Sequence, residues 1–114
     1  MIVLTWKLHD NAVVVIEGMG LEWQRLIVPA EQINVAMSRR NTARAEVLDG
    51  DTVDDYEVAM KHGDEFPTMV VVLQQSQYVI AGGNHRHEAA MRLAQTEYDC
   101  IVVECNSIEF QRLG

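Results

Sequence analysis

Asn84, His85, Arg86 and His87 stand in one run directly after Gly82 and Gly83. A carboxamide, two imidazoles and a guanidinium therefore follow a glycine pair. Glycines at such a place accept positive φ and let a ligand approach the backbone. If a strand ends there and a helix begins, several unpaired N–H groups point one way, and the helix dipole adds positive potential. That chemistry suits an anion. Arg86, in the first turn, offers a planar fork that fits phosphate oxygens. His85 adds a hydrogen bond, or a charge when protonated. Gly82, Gly83, Asn84, His85 and Arg86 are the candidate phosphate-binding residues. A plainer reading fits the same letters: Asn84 is a good N-cap, and the run is then a capped helix start with Arg86 paired to Asp55 or Glu88. A metal site is disfavoured, because His85 and His87 lie two apart on a helix and diverge by roughly 200°.

The elements that must position this run are legible in outline. Ile2–Leu8 and Ala12–Glu17 read as two strands joined at His9-Asp10-Asn11, a β-hairpin. Leu21–Val28 is a third strand or a connector. Pro29 to Ile33 is a short helical turn with Pro at its first position. Met37 to Gly50 is polar, weakly periodic and reads as a loop. Thr52 caps a helix on which Val53, Tyr56 and Met60 share a face, with Gly63 as terminator. Met69–Leu73 is a buried strand, Gln74-Gln75-Ser76 a tight turn and Gln77–Ala81 the next strand. A helix runs from Asn84 to Gln95, with Ala89, Ala90, Leu93 and Ala94 available for packing. His87 is a pocket wall or a surface residue. Cys100–Glu104 is a strand, and a last helix starts at Ser107. The expected class is α+β: a small mixed sheet with packed helices.

The whole chain narrows the options. Its 114 residues suggest one domain. The formal net charge of −8 argues against a duplex binder acting through bulk charge. Asp49, Asp51, Asp54, Asp55, Glu57 and Asp64 read as a solvated acidic face, with a small basic patch at Arg39, Arg40 and Arg44. Cys100 and Cys105 are five apart on or beside one strand, which places them on opposite faces and disfavours a disulfide between them. Reduced thiols and a cytoplasmic location follow as the expectation. Ala12–Ile16 and Met69–Leu73 are too short to span a membrane, and no signal peptide is recognisable.

The stretch "YVIAGGNHRHEAAMRLA" resembles the signature of the ParB/sulfiredoxin superfamily. Gly82, Gly83, His85, Arg86 and Ala89 match the sulfiredoxin form, and Gly83, Arg86, Ala89 and Ala90 match the ParB form. "VPAEQINV" and "VDDYEVAMKHGDEFPTMVVV" resemble, in order, the segments that precede it. The likeness covers Ile27 to Gly114. It divides the chain into an N-terminal extension, 1–26, and a ParB/sulfiredoxin-like domain, 27–114.

The resemblance implies nucleotide chemistry. In this superfamily the glycine corner and its Arg hold phosphates of ATP, ADP or CTP, often with magnesium. Arg39 or Arg40 stands where ParB-like domains place a further phosphate contact, and Glu88 or Asp55 would orient the magnesium. Asn84 departs from the sulfiredoxin pattern, which needs Cys there, and without a thiolate sulfinic acid repair has no nucleophile. Relative to ParB, His85 and Glu88 replace arginines. A second phosphate motif would lie beyond Gly114 or is missing, and no helix-turn-helix follows the domain within these residues. The expected function is a nucleotide-binding ParB-like domain, with slow NTPase activity as a candidate, in a DNA-related process. DNA contact would come through other regions or partner proteins, and homodimerisation is a family trait. The alternatives are a non-catalytic protein- or DNA-interaction module, and a small-molecule kinase or nuclease on the same scaffold.

Overall fold

The computed structural model describes residues 4–40, 48–74 and 76–104. Its four-stranded mixed sheet contains β2 (Trp23–Pro29), β4 (Met69–Gln74), β5 (Gln77–Gly82) and β6 (Glu97–Glu104), in the order β2-β6-β4-β5. β6 runs antiparallel to β2 and parallel to β4, and β4 runs antiparallel to β5. A separate two-stranded parallel sheet joins β1 (Thr5–Lys7) to β3 (Glu65–Pro67). The fold is the expected mixture of helices and a small mixed sheet.

Alternation along the central strands fills two cores. One face carries Met69, Val71, Ile80, Tyr98, Cys100 and Val102, joined by Ala90 of α4 (Asn84–Arg92). Behind α4 lies α3 (Gly50–Lys61), which contributes Val53 and Met60 to a third cluster with Ala89. The other face carries Val70, Val72, Val79, Ala81, Ile101 and Val103, and is sealed by Ile16 of α1 (Asp10–Gly18). Met69 to Val72 are consecutively buried because β4 is covered on both faces.

Residues 12–17 are thus helical, correcting the expected hairpin. The β-branched run Val13-Val14-Val15-Ile16 favours a strand locally, but Ala12, Val13 and Ile16 lie on one helical face that meets the sheet. His9 caps that helix, its ring Nδ1 accepting from the Ala12 amide at 3.2 Å. The expected loop from Met37 begins instead inside α2 (Val35–Arg40). Asn34 starts this helix by accepting from the Met37 amide through Oδ1 at 2.9 Å. Asp49, not Thr52, caps α3: its Oδ1 accepts from the Asp51 amide at 3.0 Å. α3 ends before Gly63, whose φ is 85°. Thr52 instead donates its hydroxyl to Asp49. The 3-10 turn is Ala30–Gln32, with Pro29 just before it rather than at its first position. α4 ends at Arg92, earlier than expected, and Ala94 is exposed with φ 56°. Gln75, Arg44, Cys105 and the helix expected from Ser107 lie outside the described residues.

α1 is held to the sheet by its buried face and not by propensity. Ile16→Ala should cost about 2–5 kcal/mol of unfolding free energy in urea titration, because it opens a cavity in a closed core. Val14→Ala, at a position 70% exposed, should stay within about 0.5 kcal/mol of the parent protein.

Candidate phosphate-binding corner

β5 ends at Gly82, and Gly83 turns the chain into α4 with φ 109° and ψ 23°. Gly83, not Asn84, is the N-cap residue, so Asn84 does not act as the side-chain cap that the sequence suggested. A Cβ at Gly83 would stand 2.7 Å from Arg86 Nη2 and 2.9 Å from Met69 Cγ. The guanidinium therefore lies folded back against the glycine, in space that only glycine leaves open.

Arg86 has few partners there. Its Nη2 donates to the Thr68 carbonyl at a long 3.5 Å. Its Nε is shielded from solvent and has no hydrogen-bond partner among the described residues. Burial lowers the proton affinity of the guanidinium, and the main effect opposing it comes from Tyr56. Neither Asp55 nor Glu88 pairs with it among the described residues. The first turn of α4 contains no acidic residue, although the dipole favours one. A guanidinium with no counter-charge among the described residues, at the positive end of a helix, is an arrangement that can accept an anion.

The neighbouring side chains are committed elsewhere. Asn84 bridges α4 to α2: Oδ1 accepts from Arg39 Nη1, and Nδ2 donates to the Ser38 carbonyl at 3.2 Å. Arg39 also donates through Nη2 to Glu88 and to His87 Nδ1, each at 3.0 Å. Because arginine only donates, His87 accepts through Nδ1 and carries its proton on Nε2. His85 points the other way, and its Nε2 accepts from the Asp49 amide at the start of α3 at 3.1 Å. Of the expected site residues, Gly82, Gly83 and Arg86 form the corner, while Asn84 and His85 clamp it to α2 and α3. Arg39 stands beside it within an ion pair. Arg40 closes α2, and its side chain lies outside the described residues.

His87 is neither a pocket wall nor a surface residue. It is 1% exposed, and its ring meets Tyr98 edge to face at 5.0 Å. Burial, reinforced by the charge of Arg39 and opposed by Glu88, pushes its pKa down to about 4. Sequence reasoning also missed Ser38 and Thr68, both fully buried. Ser38 Oγ donates to the Asn34 carbonyl at 2.7 Å and accepts from the Ile80 amide at 2.9 Å, fastening α2 to β5. The one available signal was Asn34, a cap three residues before Met37. Among the described residues no group of three or more His, Cys, Asp or Glu is arranged to hold a metal ion. No described helix is long and apolar enough to cross a membrane.

Comparison with known proteins bears on the family and the fold. The family model of the ParB N-terminal domain matches residues 24–113. The crystal structure of sulfiredoxin from Arabidopsis thaliana superposes with a TM-score of 0.57 at 19% identity, over 79% of this chain and 96% of that one. No curated protein matches the sequence.

Two measurements test the corner. Gly83→Ala should destabilise the fold by about 2–4 kcal/mol through left-handed backbone strain and the clash with Met69. Gly82→Ala should cost under about 1 kcal/mol, since its new Cβ meets only Val70 Cβ at 3.9 Å. The second test concerns pH. A histidine whose folded pKa lies below its unfolded value stabilises fully above pH 6.5. That stability is lost as pH falls from 6.5 towards about 4. The loss should be on the order of 2–3 kcal/mol, and it should be missing from the wild-type minus His87→Phe difference curve if another group governs that range.

Proposed function

The chain belongs to the ParB N-terminal domain family, and from that premise we propose that its glycine corner binds the phosphates of a nucleotide in a DNA-related process. One observation carries the reading: the Arg86 guanidinium is enclosed beside Gly83 with an unpartnered Nε, at the N-terminus of a helix with no acid in its first turn. Arg86 neutralises the phosphate, and the free amides of α4 add donors. ATP, ADP or CTP is the ligand class, with magnesium as companion. Arg39 joins the phosphate contacts only by exchanging Glu88 for the ligand. DNA contact comes through regions or partners beyond this domain, in keeping with the net charge of −8.

The chemistry of this corner is electrostatic. Asn84 occupies the place of the sulfiredoxin cysteine, so a sulfur nucleophile is missing at that position. Cys100 is no substitute, because it is buried in β6 and its thiol is pushed up to about 12 by burial, with Asp99 adding to it. The function proposed is therefore binding, with nucleotide hydrolysis as a separate and slower property.

Calorimetric titration with ATP, ADP and CTP, each with magnesium, tests the reading. Arg86→Met should lose at least about tenfold in affinity, since a charge-assisted contact disappears. The same variant should be about 1 kcal/mol more stable without ligand, because an uncompensated buried charge is replaced by an apolar side chain. Equal affinity in both proteins would show that the corner is only a helix start.

A further inference from the structure

The N-terminal segment lies outside the family match, which begins at residue 24. It is nevertheless wrapped around the corner. β1 pairs with β3 beside the α3–α4 layer, where Leu4 and Trp6 pack with Phe66 and Leu93. α1 lies on the opposite face of the sheet. The chain must therefore cross from one face to the other between Lys7 and Asp10. It does so at Thr68, next to the start of β4 and the end of β5. The Lys7 carbonyl accepts from the Thr68 amide at 2.8 Å, and the His9 amide donates to Thr68 Oγ1 at 3.2 Å. Arg86 reaches the carbonyl of the same residue. Thr68 thus joins the guanidinium to the first turn of α1.

This placement is electrostatically odd. The positive end of α1 is brought beside a guanidinium that has no counter-charge among the described residues. The cap of α1 is His9, whose proton affinity is lowered by burial and then by the charge of Arg86. Aspartate, a preferred cap, would have satisfied the Ala12 amide and neutralised Arg86 together. The nearby acid, Asp10, is exposed and does not pair with Arg86 among the described residues. A choice that is locally unfavourable points to a ligand that resolves it. Building on the phosphate reading above, we propose that His9 and the first turn of α1 form a second wall of the phosphate site, facing the same anion as Arg86. The anion is then held between two helix N-termini, α1 and α4, with the guanidinium between them. The Asp10 and Asn11 amides, which have no partner among the described residues, become its donors.

Substitutions on α1 decide the matter, with Mg-ATP as the probe in calorimetry and urea unfolding without ligand. His9→Asp should keep the cap, raise the urea midpoint and weaken Mg-ATP binding by about tenfold or more. Asn11→Asp, exposed and one residue into the helix, should weaken it about threefold. Val14→Glu changes charge equally but lies further along α1 and outward, and should change affinity less than twofold. Should Arg86→Met lose binding while His9→Asp and Asn11→Asp bind as wild type does, the second wall is refuted and the phosphate reading survives. Absence of Mg-ATP binding by the wild-type chain would remove both. If His9→Asp does not fold, Asn11→Asp against Val14→Glu gives the same decision.

Discussion

Gly83 has no side chain, and two groups occupy the space where one would be. Met69 Cγ fills it from the start of β4, and the Arg86 guanidinium fills it from one turn along α4. The positive φ of this residue sets the angle at which α4 leaves the sheet. That angle places Ala90 against the sheet and Ala89 against α3. It also confines Arg86 to an enclosed position where hydrogen bonds are few. The same residue therefore fixes the packing of the helical layer and isolates a cation within it.

Around that cation the polar side chains serve as fasteners. Arg39 holds Asn84, His87 and Glu88 at once, and Ser38 ties α2 to the backbone of β5. His85 fixes the start of α4 to the start of α3. Three helices thus converge on one corner through hydrogen bonds between their ends. Among the described residues, the Arg86 Nε has no partner. The side chains around the corner are thus held by hydrogen bonds to neighbouring helices, while the charge of Arg86 has no ion pair among the described residues.

The parts of the fold legible in sequence were those where local preference and tertiary packing agree. Met69 to Leu73 reads as a buried strand because β4 is covered on both faces, and the Gly82-Gly83 break is visible as a strand-to-helix corner. Val13-Val14-Val15 misled because β-branching speaks for a strand, while the buried Ile16 and the His9 cap decide for a helix. α2 was hidden because its six residues carry little apolar periodicity, and its cap, Asn34, precedes the polar stretch. The glycines and Arg86 of the corner were readable as a motif. The commitment of Asn84 and His85 to neighbouring helices was not, because both depend on contacts 36 to 46 residues away. Thr68 and His9 carry no motif at all, and only the crossing of the chain between two faces brings them to Arg86.

The last described strand lies in the interior of the sheet. β6 separates β2 from β4, and residues 23–29 find their partners only at 97–103. Until β6 pairs, β2 has no strand partner and β4 is paired with β5 alone. Only β6 joins the two pieces into one sheet. Completing this sheet therefore carries the high loop-closure cost of distant pairing.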